Sequence, residues 1–98
     1  MKTMIPMEHI DIQELIDRNY NAQIIRGQIT SDTTFSDFKL KIHEELKELS
    51  NSYYENINFD PKELADIILV CFSMAKHFNI DIMKVLSEKV EYNEKRED

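Results

Sequence analysis

The stretch FSDFKLKIHEELKELSNSYY, residues 35–54, decides how this chain folds. Phe35, Phe38, Ile42, Leu46, Leu49 and Tyr53 recur three or four residues apart. At about 100° per residue they fall in one narrow sector, which predicts an amphipathic helix from about Phe35 to Tyr54. Thr34 or Ser36 can cap its start. The same helix carries Glu44, Glu45 and Glu48. Glu45 falls roughly 60° from the centre of the apolar stripe and Glu48 further round the same side. Both are edge positions, neither buried outright nor fully solvated.

Residues 49–62 separate these acids from a second pair, Glu63 and Asp66, in Glu63-Leu64-Ala65-Asp66. After a loop over 56–60, Asp60-Pro61-Lys62-Glu63 reads as a helix start, with an aspartate cap, proline first and glutamate third. The helix that follows, to about Phe78, is apolar almost all round, so Asp66 within it calls for a cation or several donors. If the two helices pack side by side, Glu45, Glu48, Glu63 and Asp66 converge. A hard divalent cation that prefers oxygen, such as Mg²⁺ with Mn²⁺ as the alternative, would neutralise them. The competing reading makes the glutamates of the first segment a solvated flank paired with Lys41 and Lys47, and Glu63 one half of a capping box with Asp60.

Working outward, Ile12, Leu15 and Ile16 predict a first helix from about Glu8 to about Tyr20. Ile24-Ile25 could continue it, Gly27 stops it, and residues 30–34 read as a loop. Asp81 caps a fourth helix over about Ile82 to Lys95. The fold class is all-α, about four helices in a single domain over residues 1–98. An apolar third helix in so short a chain points to a bundle completed by oligomerisation, as a homodimer or homotetramer.

On the fourth helix Lys89, Asn93 and Arg96 lie within about 60° of one another. A cation, an amide and a guanidinium on one face can grip phosphate oxygens, or else form a basic last turn that suits the helix dipole.

Composition narrows the partners. One glycine and two prolines leave little material for hairpins, and the net charge of −7 argues against nucleic acid or an anionic membrane. No run reaches the roughly 20 apolar residues of a membrane span, and residues 1–7 are too weakly apolar for a signal peptide, so a cytoplasmic location is expected. Cys71, the lone cysteine, reads as a small core residue. His9, His43 and His77 show no ligand spacing and read as surface or core-edge residues. No Gly-rich phosphate loop or nucleophile elbow is present.

The pattern Glu44-Glu45-Leu46-Lys47-Glu48, then Glu63-Leu64-Ala65-Asp66, resembles the MazG family of all-α nucleoside triphosphate pyrophosphohydrolases. So do Lys41-Ile42-His43, Asn79-Ile80-Asp81 and Lys89-Val90-Glu91-Tyr92-Asn93-Glu94-Lys95-Arg96, in order; the resemblance covers residues 35–96. It implies that Glu45, Glu48, Glu63 and Asp66 ligate Mg²⁺, with Glu44 a supporting acid or water-positioning base alongside Glu45. It further implies that Lys89, Asn93 and Arg96 hold the triphosphate. The expected activity is cleavage of nucleoside or deoxynucleoside triphosphates to the monophosphate and pyrophosphate, as in removal of non-standard nucleotides. The alternative is a non-catalytic nucleotide-binding or protein-interaction module. Many relatives carry a base-recognising aromatic, often tryptophan, near the start; this chain has no tryptophan, and Tyr20, Phe35 and Phe38 are its aromatic candidates.

Overall fold

The structure is a computed structural model that describes residues 11–97. Four helices follow in order: α1 Ile12–Ile25, α2 Phe35–Asn56, α3 Pro61–His77 and α4 Ile82–Lys95. No strand occurs among the described residues, so the all-α expectation holds. The expected start of α1 at Glu8, like His9 and the segment 1–7, lies outside the described residues. Within them α1 begins at Ile12, capped by the Asp11 carboxylate, and runs five residues past Tyr20.

The boundaries follow local chemistry. At the end of α1 the Gly27 amide donates to the Ile24 carbonyl at 2.9 Å and the Gln28 amide to the Gln23 carbonyl at 2.9 Å. This paired closure needs a left-handed residue, and Gly27 supplies it at φ +75°. Of the two candidates Thr34 is the cap of α2, in a reciprocal box with Asp37. Asp60 caps α3 by accepting from the Lys62 amide at 2.9 Å. Asp81 caps α4 through the Lys84 amide.

Helix α3 is the hub. It packs most extensively on α2, next on α1, and only lightly on α4. Ile29, Phe38 and Val70 form the buried cluster, with Tyr20, Ile42 and Met74 against it. Ser73 of α3 is fully buried and donates to the Gln23 side-chain carbonyl at 2.6 Å, while the Asn19 amide donates to Ser73 at 3.2 Å. These bonds set the register of α1 on α3. His77 ties the other end: Nε2 faces the Thr33 carbonyl at 2.8 Å, and Nδ1 faces the Tyr20 hydroxyl at 2.8 Å. A carbonyl only accepts, so Nε2 carries the proton and a neutral ring accepts from Tyr20 through Nδ1.

Much apolar surface stays outside this core. Helix α4 has no buried residue, and Leu64 and Ile68 of α3 are exposed. Cys71, expected in the core, is also exposed, because the apolar face of α3 is wider than α1 and α2 can cover. Ile12, Leu15, Ile68 and Phe72 line an apolar groove of about 610 Å³ between α1 and α3.

Candidate metal centre

Helices α2 and α3 run side by side and bring three of the four expected ligands together. One carboxylate oxygen each from Glu45, Glu48 and Glu63 lies within 4.8 Å of the others. Glu45 is not the edge residue its place on the helical wheel predicts. It is 5% exposed and lines a cavity together with Asn19 and Gln23 of α1 and Arg26, the α1 C-cap. The Lys41 ammonium reaches Glu45 Oε2 at 2.9 Å, whereas Oε1 is enclosed and has no hydrogen-bond partner. A buried carboxylate oxygen without a donor is costly, and an oxygen-seeking cation is the natural partner for it.

Glu63 does not close a capping box. Asp60 alone caps α3, and the Glu63 side chain is half-buried opposite α2. Its carboxyl is held above the ordinary range, first by desolvation and then by the negative charges of Glu48, Asp66, Asp60 and Glu45. In the other direction the Lys41 ammonium is held above its ordinary range, chiefly by its bond to Glu45 against the opposing effect of desolvation, with Glu44 and Glu48 adding attraction.

Asp66 stands one turn beyond Glu63. It is exposed, not covered as its apolar helix led one to expect, because α3 presents this flank to an open cleft. With Glu45 it lines a cavity of about 170 Å³ whose other walls include Asn19, Gln23, Arg26 and Lys41. A second cavity of about 260 Å³ adjoins it through shared Gln23, Gln28, Lys41 and Val70. Glu44 lines this second cavity, with Phe38 and Ile29. Of the three aromatic candidates only Phe38 reaches it; Phe35 is 59% exposed, and Tyr20 is engaged with His77.

The expected phosphate-gripping set is placed elsewhere. Lys89 and Asn93 on α4 and Arg96 at its C-cap are all exposed, and none lines either cavity. The Lys89 ammonium sits 4.7 Å from the centre of the Tyr92 ring.

Sequence reasoning missed the wall supplied by α1. Asn19, Gln23 and Arg26 are spaced four and three residues apart and share a face. That polar stripe was the available signal, but its meaning depends on which helix it meets.

The carboxylates of Glu45, Glu48 and Glu63 form an all-oxygen donor set that could hold a hard divalent cation. No family model matches the chain, and no curated protein or solved structure matches it either.

Proposed function

We propose that this protein is a Mg²⁺-dependent nucleoside triphosphate pyrophosphohydrolase, releasing the nucleoside monophosphate and pyrophosphate. The observation that carries the reading is buried Glu45, whose Oε1 has no partner and one of whose carboxylate oxygens lies within 4.8 Å of one each from Glu48 and Glu63. The resemblance to the MazG family points the same way.

In this reading Glu45, Glu48, Glu63 and Asp66 hold the cation. When bound, it supplies positive charge against the phosphates and lowers the pKa of water. Glu44 accepts the proton of the attacking water. The water oxygen bonds to the α-phosphorus while the bond from that phosphorus to the bridging oxygen breaks, and pyrophosphate leaves with the electron pair. Lys89, Asn93 and Arg96, which stand outside the cleft of their own chain, hold the departing phosphates in the cleft of a second copy, and the cavity beside Phe38 takes the base. The apolar groove between α1 and α3 and the uncovered face of α4 are closed in a homodimer or homotetramer. The enzyme acts in the cytoplasm on free nucleotides, clearing non-standard ones.

A second reading, nucleotide binding without turnover, is favoured by one observation: α4 holds Lys89, Asn93 and Arg96 away from the acidic cleft of its own chain. Pyrophosphate release from a panel of nucleoside triphosphates, with and without Mg²⁺, separates the two. Turnover that requires Mg²⁺, and is lost in Asp66→Asn with helicity intact, supports the enzyme. Triphosphate binding without release supports the second reading.

A further inference from the structure

The acidic cavity holds two cations on its walls, and they are differently engaged. Lys41 is bound to Glu45. Arg26, at the C-cap of α1, has no carboxylate within ion-pair distance among the described residues; its guanidinium donates to the Gln28 side-chain carbonyl at 3.2 Å. Gln28 lines both cavities, so this bond holds the guanidinium at the cleft. Arg26 reaches this wall because Asn19 and Gln23, on the same face of α1, are pinned to buried Ser73.

We infer that Arg26 binds a phosphate oxygen of an organic polyphosphate drawn into the cleft. The inference rests on the pyrophosphohydrolase reading and adds to it a residue outside the acidic pattern. Four carboxylates repel a polyphosphate, and divalent cations bound to them are largely neutralised by them, so further positive charge is needed where the phosphates enter. A guanidinium matches phosphate geometry with two parallel N–H donors and stays charged at every working pH. Arg26 is the cation of the cleft that can turn to a ligand without breaking an ion pair.

The test uses α,β-methylene analogues of dATP, dCTP, dGTP and dTTP, which resist cleavage, titrated calorimetrically into the full chain with saturating Mn²⁺. Arg26→Gln should weaken binding of each analogue that the wild type binds by at least about tenfold, and Arg26→Lys by less. Mn²⁺ binding without nucleotide and the melting temperature should stay unchanged, which a merely structural role for a helix-terminal arginine would not give. If the wild type binds an analogue and Arg26→Gln binds it equally, the assignment of Arg26 is overturned and the reading of the site stands. If the wild type binds Mn²⁺ but no analogue, that reading fails and the assignment falls with it.

Discussion

The Lys41 ammonium stands 2.9 Å from Oε2 of Glu45, while Oε1 of the same carboxylate is enclosed without a partner. One oxygen is anchored and the other is enclosed, and a carboxylate oxygen of Glu45 lies within 4.8 Å of one each from Glu48 and Glu63. The lysine therefore offsets part of the cost of burying the carboxylate and fixes its rotamer before any cation binds. In the proposed reading a divalent cation relieves the mutual repulsion of these carboxylates and so stabilises the fold.

Glu45→Gln should separate these two contributions. An amide keeps the volume, accepts from Lys41 and can donate to a neighbouring carboxylate. Metal-free stability in urea should rise by about 1 kcal/mol. Mn²⁺ binding should weaken by more than about 100-fold, beyond what loss of an outer partner costs. A variant that binds Mn²⁺ like the wild type would remove Glu45 from the ligand set.

The raised carboxyl of Glu63 has a consequence with a definite sign. The folded state holds this proton more tightly than the unfolded chain, so ionisation of Glu63 opposes folding. Its contribution to metal-free stability should fall as pH rises from the ordinary value of 4.5 through the raised folded value, then level off. Asp17 acts oppositely, held low first by its hydrogen bond from Lys76 and then by one from Gln13, so its share is lost below its ordinary 3.8. The difference between wild type and Glu63→Gln across pH 4 to 7 isolates the first effect, which solvent screening keeps small at an accessible site. Saturating Mg²⁺ should abolish it.

Lys89→Ala should lower kcat/KM for every triphosphate by similar factors, corresponding to roughly 2–4 kcal/mol. Phosphates carry no base identity, so the ranking of bases should persist. Phe38→Leu, in the adjoining cavity, should change that ranking. A steady-state panel across the common bases reads both, and a reordering by Lys89→Ala would remove it from the phosphate site.

Ile68 is 48% exposed and lines the apolar groove between α1 and α3. Light scattering at micromolar concentration should give a dimer or tetramer whose interface buries more than about 2,000 Å². Ile68→Glu should shift it toward the monomer. A wild-type mass of 11.7 kDa would refute assembly.

His77→Ala should cost about 2–3 kcal/mol in urea unfolding, through two lost hydrogen bonds and the Tyr20 hydroxyl and Thr33 carbonyl left without their partner. Tyr20→Phe, which removes one of the two, should cost less.

Which parts of this molecule were legible in the chain follows from how far each cause reaches. Asp60-Pro61, Thr34, Asp81 and Gly27 act within a turn of themselves, so four helices and nearly all their described ends could be read directly. The meeting of Glu45, Glu48 and Glu63 was also readable, because helical spacing puts the first two on one flank and a short loop makes α2 and α3 neighbours. The Glu63 capping box failed because Asp60 alone satisfies that helix start, leaving the glutamate to turn toward α2.

Tertiary structure alone decided what lies over each flank. Where α1 crosses α3 is set by Ser73 meeting Asn19 and Gln23, fifty or more residues away in the chain. That crossing brings Asn19 and Gln23 to the cavity that Glu45 and Asp66 line, where Glu45 is buried and Asp66 exposed. It also brings Arg26 to the cleft and leaves Cys71 uncovered. Helical periodicity states which residues share a face; only the packing of a second helix determines whether that face is dry, and a carboxylate's chemistry depends on that.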